Sequence, residues 1–522
     1  MQSSNKTENW GSLIGVVLAV MGSAIGLGNF LRFPGLAAKY EGGSFMIPYF
    51  FALIFLGIPI AWLEWTIGRT GGQRGFHSTP GIFKILWKNP ISPYVGFLGL
   101  LVPVGIFMYY ILIESWCLYY AYLYLTGIFP LYKGGNAYIE FFNKFTGIEK
   151  DGSLFFSENS PILYFILLCY FLNMFIIYRG LIKGIELVSK IGIPLLFLSA
   201  IIILIRVLTL GTPNPEYPER NIINGLGFMW NPGTEEKGFL ESLMNADMWL
   251  AAAGQIFFSL SVGFGVIITY ASYLKKNDDV ILSSTTSAAG NTFAEVALGG
   301  LITIPAAFVF LGKEGISDSV FQLGFITLPN VFEKMPFGAF FGFLWFFLLF
   351  IAAITSSISM LQPAIAFLEE GIGTGRRASI SILSFITLIG TLFVVFFSKD
   401  LTALDNMDFW IGTFGIFILA TIQIFIGGWI FGADNIIKEA SIGSILKIPS
   451  FFKIIIKYIS PTYLLIVFIS WLYQKLPAYI DVLRNNTNAR FTFFFIIILS
   501  AFFILLIAQA NRNWNKKNKP LS

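Results

Sequence analysis

The chain has 522 residues, of which 56% are hydrophobic, 17% aromatic and only 12% charged. Soluble domains carry about 25% charged residues, so this composition excludes a soluble protein and describes an integral membrane one. Two cysteines in apolar runs (Cys117 and Cys169), one histidine (His77) and a net charge of +5 with no basic–aromatic run argue against a disulfide framework, a thiolate metal cluster, a hydrolase built on several histidines and a nucleic-acid partner.

The N-terminus, "MQSSNKTENW", is short and polar, and no small-x-small cleavage site follows the first apolar run. That run is therefore expected to be retained and not removed as a signal peptide. A spanning helix needs roughly 20 apolar residues. Twelve segments qualify, near 11–38, 44–69, 92–126, 161–179, 191–210, 244–272, 282–311, 338–370, 377–397, 402–430, 451–474 and 491–510. The third and eighth are long enough to tilt. Breaks such as "RTGGQRG" (69–75), "GTPNPEYPER" (211–220) and "EEGIGTGRR" (369–377) separate them. An N-terminus on the inner side gives the inner loops a modest excess of Lys and Arg, as the positive-inside rule requires. The C-terminal "NRNWNKKNKPLS" then lies inside, and the long connections 127–160, 211–243 and 312–337 lie outside as caps or a vestibule.

The first span is interrupted by "GSAIGLGN" (22–29) and the sixth by "SLSVGFG" (259–265). Breaks five helices apart suggest two five-helix halves, 11–212 and 240–430, followed by two further helices at 448–510 and flanked by tails at 1–10 and 511–522. The expected fold class is all-α: twelve transmembrane helices, a five-plus-five inverted repeat, and unwound first and sixth helices. Non-helical backbone in a membrane is tolerated only where it is buried in protein or lines a cavity. Freed carbonyls suit a hard cation and half-helix N-termini suit an anion, so matched breaks point to a transporter's central site. Gly22-x-x-x-Gly26 also fits plain close helix packing.

"GLGNFLRFP" (26–34), "GGSFMIPYFFALIFLGIPIAWLEWTIGR" (42–69), "GQIFFSLSVGFG" (254–265) and "FIAAITSSISMLQP" (350–363) resemble the neurotransmitter:sodium symporter family, most closely its bacterial amino-acid members such as the leucine transporter. The resemblance runs from about Trp10 to the twelfth span. It implies a multi-pass protein of the plasma membrane (a bacterial inner membrane) that imports a neutral hydrophobic amino acid with Na⁺ by alternating access and is not an enzyme. Partners would be the amino acid, Na⁺ and the lipid bilayer, and a homodimer is left open.

Two sodium sites are implied. One uses the Ala24 carbonyl, side-chain oxygens of Asn29 and Asn291, Ser259 and the substrate carboxylate; the other uses carbonyls of Gly22, Ile25 and Ala352 with the hydroxyls of Thr355 and Ser356. Taken alone, Thr355 and Ser356 read equally as hydroxyls bonded back to their own helix. The implied substrate pocket comprises Ala24, Gly26, Gly28, Ile106, Tyr110, Phe258, Ser259, Ser261, Phe264, Ser356 and Met360. It has no formal charge for a substrate side chain, and Gly26 stands where monoamine carriers have an Asp. Glu295, a carboxylate in mid-membrane, reads either as a buried protonated acid or as charge compensation near Tyr49, Gln255, Ser259 and Asn291. The second reading implies no chloride requirement.

For the gates, Arg32 and Asp408 match an outer ionic pair above an aromatic lid of Tyr110 and Phe258. Trp10, Tyr273, Gln362 and Glu370 match the inner gate, where the family's cation is replaced by Thr7 and Lys6 is the nearest substitute. Glu370 is expected to pair with Lys6 or with Arg376 or Arg377. Gly184 and Pro194, with nine residues between, are either a helix boundary or a hinge that unwinds the fifth span. Two other classes compete with this reading. A membrane enzyme lacks a catalytic cluster, and a non-transporting sensor on the same fold would bind substrate without accumulating it.

Overall fold

The computed structural model describes residues 9–40, 42–129, 135–156, 160–232, 238–316 and 319–517. Among these the secondary structure is helical, with no strand beyond one bridge between Gly42 and Pro232. Among the described residues ten helices are long and apolar enough to cross a membrane: Gly43–Gly72, Ser92–Thr126, Pro161–Tyr178, Leu181–Leu208, Val280–Leu311, Gly338–Ile372, Arg376–Phe396, Lys399–Ala440, Phe452–Asn485 and Thr487–Lys516. The first span is a pair, Leu13–Ala24 and Gly28–Lys39, bent by 49°. The sixth consists of Ala246–Leu260 and Val266–Ser272, divided by five residues. All twelve expected segments are therefore helical, and the two divided ones are those with the glycine-rich motifs.

Two boundaries differ from the sequence reading. The fifth span begins at Leu181 and not near 191, because the polar stretch "LIKGIE" is wound as a π-helix, Leu181–Glu186. Its acid, Glu186, is buried against the start of the first span: it accepts the Gly11 N–H at 2.8 Å and the Ser12 hydroxyl at 3.0 Å, and pairs with Lys190 at 2.6 Å. At the other end of the chain, residues 511–517 continue the twelfth helix instead of forming a tail. Trp514 accounts for this, packing edge-on against Phe76 and Phe367 while its indole N–H reaches the Glu370 carbonyl at 3.3 Å.

The third span is the core of the bundle, 94% buried along its central window, whereas the twelfth is 28% buried and faces outward. The second span lies against the inner half of the sixth through Gly68 and Gly72. A Cβ there would come within 2.4 Å of the Ile268 carbonyl and 1.7 Å of the Ser272 carbonyl. This is the small-residue contact by which membrane helices approach closely. Short π-helical stretches interrupt the long spans, and four hold expected site residues: Gly28–Arg32 (Asn29, Arg32), Phe293–Gly299 (Glu295), Leu368–Ile372 (Glu370) and Asp408–Gly415 (Asp408). Such turns widen a helix locally and are frequent at functional sites.

Gly72→Ala forces two backbones apart and is expected to destabilise the protein by about 1–3 kcal/mol, lowering the thermal unfolding midpoint in detergent. An exposed control, Gly75→Ala, meets nothing within 4 Å, although its φ of +81° disfavours a side chain. It is expected to lower the midpoint less.

Candidate functional site

The two breaks meet at the centre of the bundle, and each freed backbone group finds a specific partner. Ile25 is extended (φ −73°, ψ 106°), and the following Gly26 N–H is taken by Asn29 Oδ1 at 2.9 Å. In the sixth span Ser261 ends the outer half in the left-handed region (φ 54°), and Gly263 and Gly265 also have positive φ. A non-glycine residue held there is worth about 1–3 kcal/mol of strain, so its side chain needs a role. The Ser261 hydroxyl donates to the Ser23 carbonyl at 2.9 Å and joins the broken first span to the broken sixth. Glu64 of the second span accepts the Gly263 N–H at 2.9 Å.

Between the breaks lies a cavity of about 20 Å³, room for about one water. Ala24, Gly26, Gly28, Ile106, Tyr110, Phe258, Ser261, Phe264, Ser356 and Met360 line it, together with Ser23 and Asn29. The structure thus brings together every expected pocket residue except Ser259, which is buried behind the lining with its hydroxyl lacking a hydrogen-bond partner. The Phe258 and Phe264 ring centroids are 6.2 Å apart, with the ring planes inclined at 65°. A Cβ on Gly26 would lie 3.0 Å from the Tyr110 hydroxyl, so only a glycine leaves this corner open.

Two clusters of neutral oxygens flank the cavity. In the first, the Asn29 amide donates to Asn291 Oδ1 at 2.8 Å; Ser259 Oγ and Asn291 Nδ2 beside it are buried without partners. In the second, the Ser356 hydroxyl oxygen lies within hydrogen-bond distance of three carbonyls: Gly22 at 3.2 Å, Ile25 at 3.3 Å and Ala352 at 2.9 Å. Thr355 Oγ1 lies 3.2 Å from the same Ala352 carbonyl and 2.9 Å from Ile351. The back-bonding read from the sequence is therefore present, and it coexists with convergence on the first span. Glu295 is fully buried and accepts the Tyr49 hydroxyl at 2.6 Å and the Gln255 amide. No group of three or more His, Cys, Asp or Glu side chains is placed to hold a metal among the described residues.

The family model of the sodium:neurotransmitter symporters matches residues 7–144 and 140–513. A sodium-dependent transporter of Methanocaldococcus jannaschii is 30% identical over 467 residues, covering 87% of this chain and 88% of its own length. One from Haemophilus influenzae is 31% identical over 505 residues, covering 91% and 100%. The crystal structure of MhsT in complex with L-phenylalanine superposes with a TM-score of 0.74 at 28% identity, covering 89% of this chain and 99% of that one. This chain belongs to the sodium:neurotransmitter symporter family. It is a sodium-dependent, multi-pass membrane transporter and not an enzyme.

The symporter's gate residues adopt partners that differ from the sequence reading. Arg32 and Asp408 both line an outer cavity of about 370 Å³, but they do not form an ion pair. The Arg32 guanidinium sits over the Phe258 ring at 4.8 Å, while Asp408 takes the Tyr109 hydroxyl at 2.7 Å. Each has found another partner, so the outer latch is undone. On the inner side, Trp10 donates to the Tyr270 carbonyl at 2.9 Å and packs edge-on against that ring.

Glu370 does not pair with Arg376 or Arg377. It accepts the His77 N–H at 2.5 Å together with the Ser78 N–H and hydroxyl, and so anchors the start of the short helix Thr79–Leu86. Arg376 reaches the Ile177 carbonyl and Gln362, and Arg377 lies over the Tyr178 ring. Gln362 in turn donates to the Tyr273 hydroxyl at 3.3 Å. Lys6 and Thr7 lie outside the described residues.

Several of the symporter's working residues were not singled out from the sequence: Glu64, Glu186, Tyr109, Ser23 and His77. Glu64 carried a usable signal, because a carboxylate inside an apolar run, as in "WLEW", is functional by default. His77 stacks face to face on Tyr273 (4.5 Å, 3°), with Nδ1 2.9 Å from the Ser272 hydroxyl.

Burial pushes the His77 imidazole down to about 4, so it is neutral in the folded symporter and charged when unfolded below about 6.5. The unfolded chain binds the extra proton in that window, so this contribution to stability falls as pH drops from about 6.5 toward 4. His77→Gln is expected to flatten this part of the profile, read as unfolding midpoints at pH 7.5 and 5.5 for both proteins.

Proposed function

We propose that this symporter imports a neutral hydrophobic amino acid across a bacterial inner membrane by alternating access, with two Na⁺ bound per cycle and no chloride requirement. The observation that carries this reading is the position of the Ser356 oxygen within 3.3 Å of the carbonyls of Gly22, Ile25 and Ala352. With Thr355 these form five neutral oxygens, the donor type that a hard monovalent ion takes and then releases. The first cluster, Asn29, Asn291 and Ser259 beside Ala24, would hold the other ion next to the substrate carboxylate. Binding of L-phenylalanine by MhsT supports an amino-acid substrate. The apolar lining of Ile106, Phe258, Phe264 and Met360 supports an uncharged side chain.

Charge balance supports chloride independence. Two cations enter a region of low dielectric, the substrate carboxylate offsets one, and an ionised Glu295 held by Tyr49 and Gln255 would offset the other. The fifth span supports a release route for the second ion. Gly184 lies in its π-helical start and Pro194 inside its helix; Gly192 and Ile193, between them, abut Thr355 and the Gly22 position respectively. Unwinding this stretch would uncover those oxygens from the inner side.

In proteoliposomes, an inward Na⁺ gradient is expected to drive labelled amino acid above equilibrium, and K⁺ alone is not. Replacing chloride by gluconate is expected to leave the rate unchanged; loss of uptake in gluconate would overturn the role given to Glu295. Thr355→Val and Ser356→Ala are each expected to raise the Na⁺ concentration for half-maximal uptake about tenfold or more, the effect of about 1.4 kcal/mol or more. Substrate bound but never accumulated would instead indicate a sensor.

A further inference from the structure

A second buried polar cluster lies apart from the ion and substrate oxygens, where the third, fourth and eighth spans meet. Glu114, Asn173 and Ser357 are each fully buried. Asn173 Nδ2 donates to Glu114 Oε1 at 2.9 Å and to the Cys169 carbonyl at 2.9 Å. Ser357 Oγ lies 2.6 Å from Glu114 Oε2 and 2.7 Å from Asn173 Oδ1, with the Ile354 carbonyl of its own helix farther off at 3.1 Å.

A proton count decides the state of the acid. Two short O···O contacts converge on Ser357, and each needs a proton between its oxygens. The Ser357 hydroxyl has one. The Asn173 carbonyl oxygen has none, and exchanging its amide O and N would turn that oxygen toward two acceptors, the Cys169 carbonyl and Glu114 Oε1. The missing proton can therefore sit only on Glu114. Other titratable groups near it are the Cys117 and Cys169 thiols and the Tyr110 phenol, none of them a cation that would hold a carboxylate.

We propose that Glu114 is a proton-binding site: it carries its proton in this conformation and donates it from Oε2 to Ser357, which passes its own to Asn173. The bound proton completes a chain that ties the eighth span to the third and fourth. Ser357 directly follows Thr355 and Ser356, so the proton helps fix the helix that presents those hydroxyls. The cluster is thus neutral and adds nothing to the charge compensation assigned to Glu295.

Infrared difference spectra of purified protein at neutral pH test this. Wild type minus Glu114→Gln is expected to show one protonated-carboxyl C=O band that shifts in ²H₂O. A missing carboxylate band in its place would overturn the proposal. Because the Gln variant could fail to fold, Ser357→Ala provides an independent reading. Removing the acceptor of the Glu114 proton is expected to move the same band to higher frequency, whereas an unchanged C=O region would also overturn the assignment.

Discussion

The structure depends on one constraint: inside a bilayer, a backbone group that leaves a helix must find a partner within the protein. Two spans break that rule locally, and the surrounding residues repair it bond by bond. Asn29 takes the Gly26 N–H, Glu64 takes the Gly263 N–H, and the Ser261 hydroxyl takes the Ser23 carbonyl. The Gly22 and Ile25 carbonyls are held only at 3.2 and 3.3 Å, by the Ser356 hydroxyl. The proposed second ion site is thus built where the repair of the broken first span is loosest.

A second theme is the use of carboxylates as backbone anchors between elements. Glu64 grips the unwound sixth span, Glu186 the start of the first, and Glu370 the start of Thr79–Leu86. Each of these acids accepts a main-chain N–H, so the bond ties a side chain of one element to the backbone of another. Because it binds main chain, the bond ends when the backbone moves. Glu186 belongs to the π-helical start of the fifth span, two residues from Gly184. Unwinding there would release the N-terminal end of the first span in the same motion, linking the hinge to the inner gate.

Much of this was legible in the sequence. Apolar run length located all twelve spans, and glycine density within two of them located the breaks. Motif resemblance assembled the lining of the cavity. The sequence was less informative where side chains choose among partners. Glu186 falls between the spans expected at 161–179 and 191–210, yet it is buried because a helix start needs an acceptor. Arg32 and Asp408 read as a pair, but an aromatic face and a phenol compete for them in this conformation. Glu370 pairs with neither Arg376 nor Arg377; the His77 and Ser78 N–H groups and the Ser78 hydroxyl hold it.

The two mouths of the protein are therefore built from different interactions. The outer cavity keeps Arg32, Asp405 and Asp408 around open space, where their field reaches approaching ions. Mobile salt screens such a field over about 8–10 Å at ordinary ionic strength. The inner mouth is held by short contacts, Trp10 on the Tyr270 carbonyl and Glu370 on main-chain N–H groups, with His77 stacked on Tyr273. Ionic strength should thus bear directly on the capture of ions through the outer cavity, because the charged groups there face open space.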